Sequence, residues 1–165
     1  MILNIVILGL VTLSRVVELP IARANTRRLL AAGGQEVGAG HYPSIVALHA
    51  AWLATLWWLA RDRPVDLPLL VLFGLVECAR IWVLRTLGKR WTTRIIVVPN
   101  EKLVARGPYR YLRHPNYAVV VAEIALLPLV FGLWRVSLLF SLLNAAVLTI
   151  RIREEDRALG EAQRG

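Results

Sequence analysis

At 165 residues the chain is sized for a single domain, and its 57% hydrophobic and 19% charged composition, with a mean hydropathy of +0.56, excludes an ordinary soluble globule and points to the membrane class. The 20 Lys and Arg against 11 Asp and Glu leave a net charge of +9; beside long apolar runs this balance fits anionic lipid headgroups better than nucleic acid, which is not expected as a partner. One cysteine, Cys78, rules out an internal disulfide and a thiolate metal cluster within one chain, and no metal site is expected.

Against the roughly 20 residues that a spanning helix needs, five apolar segments stand out. They run from Ile2 to Leu19, Ser44 to Ala60, Leu67 to Leu87, Ala118 to Leu133 and Val136 to Ile150. The first lacks a basic flank and a clean small-x-small site, so it reads as a span and not as a cleaved signal. Between it and the second, the helical stretch from Ile21 to Ala32 reads as an interfacial helix, which Gly33, Gly34, Gly38 and Gly40 break into a flexible re-entry. After the third, Ile95 to Val98 and Leu103 to Ala105 are β-prone runs on either side of Pro99 to Lys102, which predicts a short hairpin. The last two spans are parted by Trp134 and Arg135, and Pro128 and Gly132 favour a tight helical hairpin there over one long helix. The expected fold is an all-α integral membrane protein of about five transmembrane helices with a short cytoplasmic β-hairpin-like loop.

Five spans put Arg23, Arg27 and Arg28, the basic run from Lys89 to Arg113 and the tail from Arg151 on one face, with Arg61, Arg63 and Arg135 on the other. The positive-inside rule then predicts the N-terminus outside and the C-terminus in the cytoplasm.

Ionisable residues inside a span are costly and tend to be paired or functional. Arg15 and Glu18 lie three apart, as do Glu77 and Arg80, so each pair can meet on one helix face. Snorkelling to the interface is the plain account of the first pair, while the second stands open between structure and chemistry. His41 and His49 have no other ligand-type residue near them in sequence, and a structural or interfacial role is read for both.

The densest polar run is Leu103 to Tyr117, LVARGPYRYLRHPNY. Its Tyr109, Tyr111 and Tyr117, with Trp91, suit an aromatic belt at the membrane surface. Pro115 disfavours α geometry at His114 and suits the first turn of the fourth helix, where a missing N–H does no harm. Asn116 and Tyr117 then occupy that turn, whose unpaired N–H groups and partial positive charge can seat a ligand carboxylate, with His114 as a further donor. Beyond the last span, RIREEDRAL places Glu154 and Glu155 on the same face as this loop. They can accept from a ligand's amine or ribose hydroxyls; alternatively Glu154 pairs with Arg151 or Arg157 along the helix.

RGPYRYLRHPNY followed by RIREED resembles the signature of the isoprenylcysteine carboxyl methyltransferase family, which is related to the membrane phospholipid methyltransferases. The resemblance covers about Glu77 to Leu159 and extends more weakly, to small bacterial members, across residues 1–165. It implies one membrane-embedded methyltransferase domain without a Rossmann sheet, and the chain has no glycine-rich βα turn of the dinucleotide type. It also implies an S-adenosylmethionine cofactor held by Arg113, His114, Pro115, Asn116 and Tyr117 together with Glu154 and Glu155. A lipophilic substrate would enter sideways from the bilayer. In the family an arginine near the end of the helix before the hairpin orients the substrate; by spacing to Gly88 and Trp91 the match is Arg80, with Glu77 holding it. Similarity to bacterial members implies a bacterial inner membrane.

The expected chemistry is methyl transfer to an oxygen. A carboxylate acceptor needs no base and can be held by an arginine, whereas a phenol or enol needs deprotonation, for which Glu77 and His114 are candidates. Bacterial relatives associated with type III polyketide pathways make an alkylpyrone or alkylresorcinol an expected acceptor beside an isoprenylcysteine-like one. The competing reading is a non-catalytic membrane scaffold or lipid-binding protein that keeps the family's shape. Oligomeric state is left open.

Overall fold

The computed structural model describes residues 1–99 and 104–162, with side chains described to residue 160. Five helices form the molecule: α1 (Ile2–Ala31), α2 (Tyr42–Leu59), α3 (Leu67–Leu87), α4 (Pro115–Val130) and α5 (Trp134–Ala162). The described residues also hold a two-stranded antiparallel sheet of β1 (Gln35–Val37) and β2 (Ile95–Val97), and there is no Rossmann sheet among them. α1, α3 and α5 are long and apolar enough to cross a membrane, whereas the 16 residues of α4 extend only about 24 Å at 1.5 Å per residue. Large apolar side chains such as Leu10, Leu13, Val71, Leu75, Leu138 and Leu142 face outward, as a lipid-facing surface requires.

α1 runs without interruption for 30 residues and carries Pro20 inside it, so the separate interfacial helix expected from Ile21 is instead the last part of the first span. Proline fixes φ near the helical value and forfeits one N–H donor, a loss that the strong helix formers after it outweigh. α5 behaves likewise: its 29 residues take the acidic tail along on the same rigid rod as the last span.

The helices pack around Leu8, Trp52, Leu56, Phe73, Ile124, Leu127 and Phe131, all buried. α3 lies chiefly on α4, and α4 on α5. At one end, tight connections close the bundle. The Asn4 Nδ2 donates to the Ala60 and Arg63 carbonyls at 2.6 and 2.8 Å, and Asp66 caps α3 through the Leu69 N–H at 3.0 Å. The α4–α5 hairpin expected at this end forms, turning at Gly132 (φ 67°) and tied by the Ser137 hydroxyl donating to the Ala125 carbonyl at 2.7 Å.

The opposite end, called here the loop end, carries the sheet. β2 arises where β propensity predicted it, but its partner is β1, in register Gln35↔Val97, Glu36↔Ile96 and Val37↔Ile95. Val104 and Ala105 form no strand, and the expected hairpin's turn and Leu103 fall largely on residues 100–103, outside the described ones. The long-range pairing wins because it buries Ile95 and Val97 against Ala158 of α5, a gain that local propensity does not register. Gly33 (φ 86°) makes it possible by turning the chain out of α1.

Candidate active site

The run ending in Tyr117 is shaped by its two prolines. Gly107 (φ 56°) and the buried Pro108 start a 3₁₀ turn, Gly107–Arg110, against the end of α3. His114 then adopts φ −127° and ψ 63°, outside α geometry as the following proline demands, and Pro115 opens α4. Tyr117 is thereby presented in the first turn of α4, buried, with its ring stacked on His114 at 5.4 Å between centroids.

α5 meets this turn with three residues. The Arg151 Nε donates to the Tyr117 Oη at 2.9 Å and its Nη2 to the Thr93 carbonyl at 2.8 Å, while the Tyr117 hydroxyl donates to the Glu155 carboxylate. One turn of helix separates Arg151 from Glu155, so both reach the same phenol from one face of α5. The next residue, Asp156, bonds the His114 Nε2 at 3.1 Å. These contacts wall a cavity of about 480 Å³ that is also lined by Trp91, Tyr109, Asn116 and Arg113. Burial, and after it the Glu155 carboxylate, pushes the Tyr109 phenol's pKa above its usual value, so this hydroxyl stays a donor. The buried indole N–H of Trp91 has no acceptor among the described residues.

A second polar group lies within the bundle, where α1, α3 and α4 converge. Arg80 donates from Nε and Nη2 to Glu18 at 2.8 and 2.5 Å, and from Nη1 to both oxygens of Glu123 at 3.1 and 3.0 Å. Arg15 donates from Nη2 to Glu77 at 3.1 Å and to Glu123 at 3.2 Å, and from Nη1 to Glu18 at 3.4 Å. Two guanidiniums and three carboxylates thus bind three helices together, with Arg80 and Glu123 buried at 8% and 4% exposure. All three guanidinium nitrogens of Arg80 are engaged by protein carboxylates.

Comparison with known proteins places the two polar groups in context. Residues 69–161 match the isoprenylcysteine carboxyl methyltransferase (ICMT) family. The chain belongs to that family. It is 36% identical over 168 residues to "Uncharacterized protein YpbQ" of Bacillus subtilis (strain 168), an alignment covering 94% of this chain and 95% of that protein. No solved structure matches.

As an ICMT-family protein the chain is, in general terms, a membrane methyltransferase, and the matched region contains both halves of the 480 Å³ cavity. The fold brings Arg113, His114, Asn116, Tyr117 and Glu155 to this cavity, with Pro115 setting the turn that holds them. Glu154 is not among its lining residues; Asp156 is. Helical geometry is the reason: 151, 155 and 159 share a stripe that faces the cavity, and 156 flanks it while 154 points around the rod. Arg80 and Glu77 do not line the cavity either. Nor do they pair as their spacing allowed, since Arg80 turns to α1 and α4, and Glu77 to Arg15. Glu123 escaped sequence reasoning, although the signal was there: a lone carboxylate within an apolar span, the same anomaly that singled out Glu77.

Proposed function

We propose that the protein is an S-adenosylmethionine-dependent methyltransferase that transfers a methyl group to an oxygen of a lipophilic acceptor. The observation that carries this reading is the bonding of Tyr117 to both Arg151 and Glu155, which joins the two motif halves around one cavity. The residues present fit the cofactor by donor type. Glu155 and Asp156 suit an amine and ribose hydroxyls, Arg113 and the first turn of α4 suit a carboxylate, and Trp91 and Tyr109 offer aromatic faces. In this proposal Glu154, which does not line the cavity, takes no part in holding the cofactor.

The bound cofactor supplies a methyl already activated on a sulfonium, so the protein's task is alignment and exclusion of water. Arg151 and Tyr117 fix the Glu155 carboxylate toward the cavity, and Asp156 fixes the His114 ring. The side chains of Leu29, Leu87 and Ile96 supply apolar parts of the cavity's remaining walls. A carboxylate acceptor is methylated without a base; a phenol or enol must lose its proton, and His114 is the imidazole among the cavity's described lining residues. Arg80 could orient an acceptor only by exchanging Glu18 or Glu123 for it.

With the loop end in the cytoplasm, five crossings put the N-terminus outside and the C-terminus inside, and the concentration of Arg and Lys at that end supports this orientation. A long-chain alkylpyrone or alkylresorcinol remains the proposed acceptor, with a bacterial inner membrane as its setting. Calorimetry with S-adenosylhomocysteine on folded protein in detergent tests the enzyme reading. Saturable binding is expected, and its absence would leave a lipid-binding scaffold. Methylation of farnesylcysteine without methylation of the phenolic lipids would reject the proposed acceptor.

A further inference from the structure

A second cavity, of about 740 Å³, opens beside the first at the loop end, between the C-terminal ends of α1 and α3. Its size lies within the roughly 300–1,000 Å³ usual for ligand sites. The two cavities share Leu29, Leu87, Arg90, Val98, Val104 and Ala105 as a common wall, but their charge balance differs. The first sets Glu155 and Asp156 beside Arg94, Arg113 and Arg151. The second is lined by Arg28, Lys89, Arg90 and Arg106, with no carboxylate among the described residues.

Three of these cations, Arg28, Lys89 and Arg106, are not held by protein acids among the described residues. Among the described residues, Arg28 and Lys89 have no ion pair, and Arg106 donates from Nη2 to the Thr86 carbonyl at 3.4 Å. Other arginines at this end show the contrast: Arg94 pairs with Glu36 at 2.7 Å, and Arg151 is committed to Tyr117 and Thr93. Like charges crowded around one concavity repel, and an anion placed among them removes that cost. The site also lies where the apolar faces of α1 and α3 end: Ile21, Ile81 and Trp82 are exposed on the lipid side of it. An amphiphile can therefore leave its chain against these helices and put its polar head into the cavity.

We propose that this cavity seats the anionic headgroup, phosphate or carboxylate, of a membrane amphiphile, held by Arg28, Lys89 and Arg106. Resting on the methyltransferase reading above, the occupant is the methyl acceptor, which among the lipids proposed there favours an alkylresorcinol that carries a ring carboxylate, an acidic group distinct from the phenol oxygen that is methylated. The shared wall sets this seat directly beside the cofactor's cavity.

The test is binding to purified full-length protein in uncharged detergent, measured with lysophosphatidic acid and with lysophosphatidylcholine of the same chain length. The phosphate monoester should bind at least about tenfold more tightly, as charge-assisted contacts to guanidinium groups require. Arg28→Gln combined with Arg106→Gln should abolish that preference. Arg23→Gln combined with Arg27→Gln removes the same charge from the same end of α1, outside the cavity, and should preserve it. Equal affinity for the two lipids, or equal loss in both double variants, would overturn the proposal. Displacement by excess phosphatidylglycerol identifies a bulk lipid headgroup as occupant; resistance to it identifies a dedicated acceptor. S-adenosylhomocysteine binding in the same preparations separates the two ideas. Its loss in the wild type with the lipid preference intact refutes the enzyme reading alone, and the converse refutes the anion seat alone.

Discussion

Replacing Arg80 by Met keeps the apolar stem of the side chain and removes the charge on which two carboxylates converge. Glu18 would lose its contacts at 2.8 and 2.5 Å, and Glu123 its contacts at 3.1 and 3.0 Å. Arg15 alone would then face Glu18, Glu77 and Glu123, with the last two reached at 3.1 and 3.2 Å. Removing one partner of a buried ion pair costs about 3–5 kcal/mol, because the other charge is left in a low-dielectric site. The 6% exposure of the Glu123 side chain places Arg80→Met in that range. Glu77→Gln is the internal control: this side chain is 25% exposed and accepts at 3.1 Å from an Arg15 that keeps other partners, so about 1 kcal/mol or less is expected. The double substitution Arg80→Met with Glu123→Leu removes one of the orphaned acids and should recover about 1–3 kcal/mol relative to additivity. Unfolding by sodium dodecyl sulfate in dodecylmaltoside micelles, followed by far-ultraviolet circular dichroism, supplies the free energies. A cost below about 1 kcal/mol for Arg80→Met, or strict additivity of the double variant, would refute a structural ion network. Retained stability with lost turnover would instead make Arg80 a substrate-holding residue.

Three further outcomes follow from particular contacts. Glu155→Gln should weaken S-adenosylhomocysteine binding by about tenfold in calorimetry, because Glu155 lines the cavity and takes the Tyr117 hydroxyl. Glu154→Gln should change it by less than about twofold, and a reversed order would place the wrong face of α5 in the site. Gly107→Ala forces a side chain onto φ 56° and puts its Cβ 2.7 Å from the Thr86 Oγ1, so a loss of about 1–3 kcal/mol is expected in the same unfolding assay. Thr86→Ala in that background should relieve only the contact part; complete rescue would mean that the backbone conformation is unstrained. Asn4→Leu leaves the Ala60 and Arg63 carbonyls without their donor and should cost about 1–3 kcal/mol, with faster hydrogen exchange confined to the α2–α3 connection. Unchanged exchange there would show that water replaces the amide freely.

Much of this molecule is written locally. Apolar runs of span length, the Pro128–Gly132 stop, and the Pro115 start each depend on residues that are neighbours in the chain, and the five helices appear where those signals lie. The same is true of chemical type: an aromatic and basic loop before α4 and an acidic run in the tail could be read as two halves of one site, because a ligand with a carboxylate, an amine and hydroxyls needs both. Partner choice was not legible. Glu77 and Arg80 have the right spacing to meet, yet Arg80 bonds Glu18, 62 residues away, and Glu123, 43 residues away. Ile95 to Val97 was recognisably a strand, but it pairs with Gln35–Val37 because that arrangement buries it on α5. Asp156 rather than Glu154 reaches the cavity because the rotational setting of α5 is decided by Arg151 and Ala158, which are buried against other elements. The sequence by itself determined which elements exist and what chemistry each can offer, since these follow from short-range sterics and polarity. Only the tertiary structure decided which of those offers meet, since the packing of apolar faces sets each helix's position and rotation before any polar side chain finds its partner.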